Sequence, residues 1–272
     1  MLLPVRNIRM KVALGQFAVA PEWKLNLDQC LSLIDRAIAG GAELLILPES
    51  IIAADMNDPG ITVRTAQPLD GPFVNSLVKA LAGTNLSLIC CIATPAQPVL
   101  THNCQIVINA TGVVACYRKL HLYDAFNMKE SRDYVPGTEL PPIVQIGDVR
   151  VGLMTCYDVR FPEVARSLVV RGADVLSVPA AWVRGPGKEW HWEVMVTARA
   201  LENTCYVAAV GECGPRNIGG SMLVDPMGVA VVRAGSEPDL LFANVDNERI
   251  RATRAVLPVL VNRRFRDPEL NA

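Results

Sequence analysis

Two pairs of similar segments, one member of each pair in each half of the chain, constrain the fold more than any other feature. GGAELLILPES (40–50) resembles RGADVLSVPAA (171–181), and VINATGVVACYRK (107–119) resembles LVDPMGVAVVRA (223–234). The first pair predicts a helix end followed by a buried strand, and the second predicts a hairpin. The chain is therefore predicted to be an α/β protein with an internal duplication, in which two sheets pack face to face with helices outside.

Hydrophobic periodicity predicts alternating strands and helices in both halves. The first half has predicted strands at 12–18, 44–47 and 86–93, helices at 24–40 and 71–83, and a hairpin at 104–118 turning at Asn109–Gly112. The second half has predicted strands at 149–155, 176–178, 205–210 and 239–245, helices at 162–171, 189–202 and 246–255, and a hairpin at 221–233 turning at Asp225–Gly228.

The helix at 24–40 is predicted to bury one apolar face, formed by Leu27, Cys30, Leu31, Ile34 and Ile38. No segment has the composition of a linker, so we expect residues 1–272 to form a single domain. Residues 1–9 are a possible N-terminal extension, because the first strand pattern begins after Met10.

Composition argues against several classes of protein. Hydrophobic residues make up 51% of the chain, charged residues 19%, and the net charge is -1, so no nucleic acid or anionic membrane is expected as a partner. No apolar run reaches the roughly 18 residues of a spanning helix, and the N-terminus lacks a secretory pattern, which predicts a cytoplasmic protein. The eight cysteines form no Cys-x-x-Cys pair, which predicts reduced thiols and no metal site.

Three chemically competent side chains stand where predicted strands end. Glu49 follows LLILP, Lys119 follows VVACYR, and Cys156 follows VGLMT. Strand ends are where sheets of this kind carry their active residues. Each residue alone is compatible with an ordinary structural role, namely a solvated carboxylate, a surface lysine and a buried thiol. We expect chemistry only if the three side chains meet.

Cys156 lies in GLMTCYDVRFPE, where a strand gives way to a turn and a helix that begins near Pro162. Such a turn exposes a nucleophile, and the N–H of Tyr157 would be available to an oxyanion. A thiol needs activation, because only a few per cent is thiolate at neutral pH. Glu49 and Lys119 could supply a base and a cation, while a Cys–His dyad with His121 is the alternative.

LPES, YRKLHLYDAF and GLMTCYDVRFPE are similar to the three signature segments of the nitrilase superfamily of carbon–nitrogen hydrolases. The resemblance implies a four-layer α-β-β-α sandwich with internal pseudo-two-fold symmetry, a Glu49–Lys119–Cys156 triad, and hydrolysis through a cysteine thioester without a metal or organic cofactor. Glu130, in MKESRDYVPG, matches the second glutamate of that family. The resemblance also implies a homodimer or higher homo-oligomer.

Within that superfamily, TCYDVRFPE, PAAWVRGP and ARALENTCY are most similar to bacterial deaminated glutathione amidases. This branch implies a small carboxylate-bearing amide as substrate, namely the α-ketoglutaramyl amide formed when glutathione is transaminated. An ω-amidase for α-ketoglutaramate, an N-carbamoyl amino-acid amidohydrolase and a catalytically silent interaction protein remain alternatives.

Specificity is expected to come from residues near the ends of the strands in the second half. Tyr157, Ala180, Trp182 and Arg184 are the candidate substrate-binding residues, the last three because they follow or adjoin Pro179. A substrate carboxylate would require a cation, for which Arg184 or Arg160 could serve.

Overall fold

The computed structural model of the chain describes residues 9–55, 57–58 and 60–270, which form two six-stranded sheets. The strands are β1 (Arg9–Gln16), β2 (Leu44–Ile46), β3 (Ser87–Gln97), β4 (Leu100–Asn109), β5 (Gly112–Arg118), β6 (Ile143–Ile146), β7 (Val149–Leu153), β8 (Val175–Ala180), β9 (Tyr206–Gly211), β10 (Met222–Val224), β11 (Ala230–Arg233) and β12 (Asp239–Asp246). The α-helices are α1 (Trp23–Ala39), α2 (Ile61–Thr65), α3 (Pro72–Leu81), α4 (Pro162–Val170), α5 (Lys188–Asn203) and α6 (Asn247–Val256).

The two sheets have the same internal order, as the repeated segments predict. The first runs β12-β1-β2-β3-β4-β5 and the second runs β6-β7-β8-β9-β10-β11. In each sheet three consecutive strands are parallel and a hairpin follows, β1–β2–β3 with β4–β5 in the first and β7–β8–β9 with β10–β11 in the second. The two halves are therefore related by an internal pseudo-two-fold.

Three apolar clusters separate the layers. One packs α1 and α3 against the outer face of the first sheet, and a second packs α4 and α5 against the outer face of the second. The third joins the inner faces of both sheets, with Val12, Leu44 and Ile46 from one and Val151, Val175 and Tyr206 from the other. Gln105 of β4 crosses this layer, because its Nε2 donates to Ser177 Oγ of β8 at 2.7 Å. The predicted four-layer α-β-β-α sandwich is confirmed.

The buried face of α1 differs from the predicted one. Asn26, Leu33 and Ala37 are buried with Cys30 and Ile34, whereas Ile38 is exposed and Leu27 and Leu31 are only partly buried. Asn26 can be buried because its amide bonds the backbone N–H and C=O of Ala20 at 2.8 Å each. Because its hydrogen bonds are satisfied, Asn26 lies on the buried face of α1. That face is therefore rotated about the helix axis from the face that the apolar residues predict.

Two short elements were not predicted, β6 at the edge of the second sheet and the five-residue helix α2. Residues 1–8, which make up nearly all of the possible N-terminal extension, lie outside the described residues, and Arg9 already begins β1. No helix in the described part of the chain is long and apolar enough to cross a membrane.

Candidate active site

Glu49, Lys119 and Cys156 meet where β2, β5 and β7 end. Lys119 Nζ donates to Glu49 Oε1 at 2.9 Å, and the Cys156 thiol lies beside the Glu49 carboxylate, which raises the pKa of the thiol. All three side chains are buried, with exposed fractions of 4% for Glu49, 2% for Lys119 and 7% for Cys156. The structure thus brings together the three side chains that the sequence places at the ends of predicted strands.

The backbone on either side fixes the glutamate and the lysine. Lys119 directly follows β5, and its N–H donates to the carbonyl of Asn103 on β4 at 2.9 Å. Glu49 Oε2 accepts the N–H of Ala181, just after β8, at 2.8 Å. The first sheet therefore supplies the carboxylate and the ammonium, and the second sheet fixes the orientation of the carboxylate.

Cys156 has φ of 45° and lies in the left-handed region, which a residue with a side chain rarely adopts. The strain is concentrated at the sharp turn from β7 into the 3₁₀ helix Cys156–Arg160. A capping box closes this turn, since Thr155 and Asp158 each bond the backbone of the other residue. Tyr157 lies in the first turn of the 3₁₀ helix, where N–H groups have no partner within a helix.

Asp158 joins the cysteine turn to the end of β5. Its side chain is fully buried and accepts hydrogen bonds from Tyr117 Oη at 2.8 Å and from Thr155 N at 2.9 Å. It also pairs with His121 Nδ1 at 2.8 Å, and the His121 ring stacks on Phe161 with centroids 3.7 Å apart. His121 is thus held by Asp158 and not by Cys156, so the geometry does not favour a Cys–His dyad.

Glu130 completes the cluster on the other side of the lysine. Lys119 Nζ lies 2.8 Å from Glu130 Oε2, which also accepts the N–H of Tyr123 at 2.6 Å. Asn103, which the sequence analysis missed, donates from Nδ2 to Glu49 Oε1 at 2.7 Å and to Glu130 Oε1 at 3.2 Å. A buried ammonium and a buried amide therefore hold two carboxylates together. The side-chain alternation of β4 offers no sequence signal that would single out Asn103.

The electrostatics of the cluster favour a neutral thiol beside an ionised carboxylate. Burial and then the nearby Glu49 raise the pKa of Cys156 well above its ordinary value. Burial alone would also raise the pKa of Glu49, but the Lys119 ammonium and the hydrogen bonds to the carboxylate keep it below its ordinary value. Burial would lower the pKa of Lys119, yet Glu130 and Glu49 raise it. In the resting protein Cys156 is therefore a neutral thiol, Glu49 a carboxylate and Lys119 an ammonium.

Aromatic rings and two further cations form a group of contacts beside Tyr157, the residue that follows the cysteine. Lys188 Nζ lies 4.9 Å from the centroid of Tyr123, 4.6 Å from that of Phe126 and 4.9 Å from that of Trp182. The Arg160 guanidinium carbon lies 4.9 Å from the centroid of Trp182 and 6.0 Å from that of Tyr157. Lys188 was not singled out in the sequence, because it reads as an ordinary residue at the start of a helix.

The four predicted substrate-binding residues occupy different surroundings. Tyr157 and Trp182 adjoin the two cations, and Trp182 is fixed by a hydrogen bond from Nε1 to the Lys188 carbonyl at 2.9 Å. The Ala180 side chain is fully buried in the core cluster of the second half. Arg184 lies 3.9 Å from Glu189, and about two-fifths of its side chain is exposed. The arginine that contacts the aromatic rings is Arg160, over the ring of Trp182.

Within residues 9–55, 57–58 and 60–270, no group of three histidine, cysteine, aspartate or glutamate side chains is arranged to hold a metal ion.

The profile of the carbon–nitrogen hydrolase family matches residues 11–255. The chain belongs to the carbon–nitrogen hydrolase family. A deaminated glutathione amidase from Escherichia coli O157:H7 is 46% identical over 261 residues, which cover 96% of this chain and 100% of that protein. A deaminated glutathione amidase from Bos taurus is 37% identical over 273 residues, covering 93% of this chain and 81% of that protein. The resemblance found in the sequence is confirmed, and with it the prediction of a carbon–nitrogen hydrolase.

A solved structure extends the comparison to the fold. An amidase from Nesterenkonia sp. AN1, with acrylamide added at its active-site cysteine, superposes with a TM-score of 0.78 at 27% identity. The match covers 92% of this carbon–nitrogen hydrolase and 98% of the Nesterenkonia chain. The two proteins therefore share the layered sandwich over nearly their whole lengths.

Proposed function

We propose that this carbon–nitrogen hydrolase is an amidase that cleaves deaminated glutathione at its α-ketoglutaramyl amide bond, with Cys156 as nucleophile. The observation that carries the proposal is the buried cluster in which the Glu49 carboxylate accepts a hydrogen bond from the Lys119 ammonium and lies beside the Cys156 thiol. The substrate assignment is supported by the deaminated glutathione amidase of E. coli O157:H7, which is 46% identical to this chain.

In the first half-reaction Cys156 attacks the amide carbon while Glu49 takes the thiol proton. The carboxylate is suited to this role because its pKa is lowered, so that it is ionised, and because it lies beside the thiol. Lys119 Nζ donates to Glu49 Oε1 and to both carboxylate oxygens of Glu130. The positive charge of this ammonium and the Tyr157 N–H stabilise the tetrahedral oxyanion.

The amine then leaves with the proton that Glu49 accepted, and the acyl group remains on Cys156 as a thioester. A water molecule, deprotonated by Glu49, attacks the thioester carbon, and the carboxylic acid and the thiol are released. Glu130 and Asn103 act as positioning residues, since both contact the base or the ammonium and neither contacts the thiol.

Arg160 is the cation that we assign to the substrate carboxylate, in preference to Arg184. Its Nη2 lies 3.3 Å from His191 Nδ1, and its Nε is buried without a hydrogen-bond partner. A buried guanidinium donor without a protein acceptor is costly unless a ligand satisfies it. A carboxylate suits that geometry because guanidinium binds carboxylate through paired N–H donors.

The test compares purified wild-type protein with Cys156→Ala, measuring the release of cysteinylglycine from deaminated glutathione. We expect Cys156→Ala to keep its fold and to lose activity by about 10⁴-fold or more. Cys30→Ala is the matched control, because Cys30 is an equally buried thiol on α1 and should leave turnover unchanged. Rapid acid quenching of the wild type should trap an acyl group on Cys156, detectable by mass spectrometry.

Normal turnover by Cys156→Ala would overturn the assignment of the nucleophile. Faster turnover of α-ketoglutaramate would favour an ω-amidase, and carbon dioxide release from an N-carbamoyl amino acid would favour that class of amidohydrolase. Three further predictions from the sequence stand as part of this proposal: a single domain over residues 1–272, a homodimer or higher homo-oligomer, and a cytoplasmic location.

A further inference from the structure

Lys188 is a buried cation with few partners. It is only 5% exposed, although it is the first residue of α5. Its Nζ donates to Tyr123 Oη at 2.7 Å, and its other two N–H groups have no acceptor in the described part of the chain. The remaining contacts of the ammonium are the faces of Tyr123, Phe126 and Trp182. Aromatic faces stabilise a cation only partly in place of water.

A second cation, Arg160, lies beside Lys188. Lys188 and Arg160 share the rings of Phe126 and Trp182, each lying 4.9 Å from the centroid of Trp182. Within the part of the chain that the structure describes, neither forms an ion pair with an aspartate or glutamate, in contrast to Arg184 and Lys119. Burial and then the nearby Arg160 lower the pKa of Lys188. Two adjacent cations in a desolvated site require an anionic ligand.

Both cations lie near the residue that follows the nucleophile, Tyr157. Arg160 is the last residue of the 3₁₀ helix that Cys156 begins, and its guanidinium carbon lies 6.0 Å from the centroid of the Tyr157 ring. Lys188 donates to Tyr123, whose ring contacts that of Tyr157 with centroids 5.0 Å apart. A ligand held by Arg160 and Lys188 would therefore lie close to an amide carbon bound at Cys156.

We propose that Lys188 selects the oxidation state of the substrate at the carbon next to the carboxylate, accepting ω-amides of 2-oxo acids and rejecting ω-amides of 2-amino acids. This inference rests on the proposed function and concerns the same site. Arg160 binds the substrate carboxylate, and the Lys188 ammonium donates a hydrogen bond to the neighbouring 2-oxo oxygen. A 2-amino acid carries an ammonium at that position, which would lie beside Lys188 with no carboxylate side chain to separate the two charges.

The physical consequence is discrimination between deaminated glutathione and glutathione itself. The two molecules share the scissile amide and the leaving group, and they differ only in a 2-oxo or a 2-amino group on the acyl part. A neutral oxygen gains a donor from Lys188, whereas an ammonium meets a like charge in a site of low dielectric. The abundant amino form would thus be spared by the same side chain that binds the oxo form.

The experiment measures kcat/KM of wild-type protein, Lys188→Gln and Lys188→Arg on deaminated glutathione and on glutathione, following cysteinylglycine release. The ratio of the two constants is internal to each protein, so it does not depend on the fraction that is folded. We expect Lys188→Gln to lower the oxo-to-amino ratio by roughly 100-fold, and Lys188→Arg to keep most of the ratio, because it keeps the positive charge.

Lys24→Gln is the matched control, because Lys24 also lies over a tryptophan ring, at 5.8 Å from the centroid of Trp23, but on the exposed surface of α1. Its ratio should equal that of the wild type. An unchanged ratio in Lys188→Gln, or a wild type that cleaves both substrates equally, would overturn the inference and leave the amidase function intact. A wild type that cleaves neither substrate would overturn both proposals.

Discussion

Lys119→Met tests whether the active-site cluster is held together by one compensating charge. The ammonium lies 2.9 Å from Glu49 Oε1 and 2.8 Å from Glu130 Oε2. The side chains are 2%, 5% and 13% exposed for Lys119, Glu49 and Glu130, so solvent screens these contacts little. Methionine has a similar length and no charge, so the substitution removes the cation without opening a large cavity.

Removing one partner of a buried ion pair costs about 3–5 kcal/mol, because a buried charge is left uncompensated. Here two carboxylates are left. In the variant the folded-state pKa of Glu49, which burial raises and Lys119 no longer lowers, should lie above its unfolded value, so its share of the penalty grows as pH rises and disappears as pH falls towards about 4.5. Each carboxylate contributes at most about 1.4 kcal/mol per pH unit to this dependence. The wild type behaves oppositely at Glu49, since a lowered pKa stabilises the fold above that range and the stabilisation is lost on acidification.

The assay is urea unfolding followed by tryptophan fluorescence, at neutral pH and at about pH 5. We expect Lys119→Met to lose about 3–5 kcal/mol of unfolding free energy at neutral pH and to recover part of it in acid. Adding Glu49→Gln should restore part of the stability at neutral pH, because Glu130 then remains as the one uncompensated carboxylate of the pair, whereas Lys79→Met, which removes an exposed lysine of α3, should change little. A loss in Lys119→Met that is equal at both pH values would refute the account based on uncompensated carboxylates.

Two other predictions concern groups near the cluster. Asp158→Asn should lower kcat by about 10- to 100-fold, because Asp158 fixes the cysteine turn against Tyr117 and His121. The measurement is cysteinylglycine release in a stopped assay, and a kcat equal to that of the wild type would contradict this role. Burial raises the pKa of Glu212 to about 7 from its ordinary 4.5, so the folded state keeps a proton that the unfolded state has lost. The contribution of Glu212 to the unfolding free energy should therefore fall by about 3 kcal/mol between about pH 4.5 and pH 7. Glu212→Gln should lack this fall. Parallel pH dependences of the unfolding free energy in the two proteins would contradict the prediction.

The sequence predicts those parts of the fold that local pattern determines. The strands of both repeats and the two hairpin turns follow from apolar runs and from Asn109–Gly112 and Asp225–Gly228, because these signals act over a few residues. The rotation of α1 does not follow, since it depends on Asn26 bonding Ala20, a contact that no periodicity encodes. The edge strand β6 is missed because its four residues pair with β7 alone.

The same division holds for the site. Residues that stand directly at strand ends could be predicted to meet, and Glu49, Lys119 and Cys156 do so. Asn103 and Lys188 could not, because Asn103 lies within a strand and Lys188 begins a helix, and each reaches the site only through tertiary packing. Arg184 is a candidate in the sequence because it follows Pro179, but in the structure it pairs with Glu189 at 3.9 Å.

The two halves related by the pseudo-two-fold differ in the residues at their strand ends, and this difference gives the described part of the chain one cluster of Glu49, Lys119 and Cys156. In the alignment of the two repeated segments, Glu49 corresponds to Ala180 and Ser50 to Ala181. The second half thus has no carboxylate at the equivalent strand end, and the Ala181 N–H bonds Glu49 Oε2 instead. Cys156 likewise comes from the end of β7, whose counterpart in the first half, β1, leads to Phe17, a residue of the apolar core. The two halves have therefore diverged in complementary ways: the first keeps the base and the ammonium, and the second supplies the thiol and the backbone donor that orients the base.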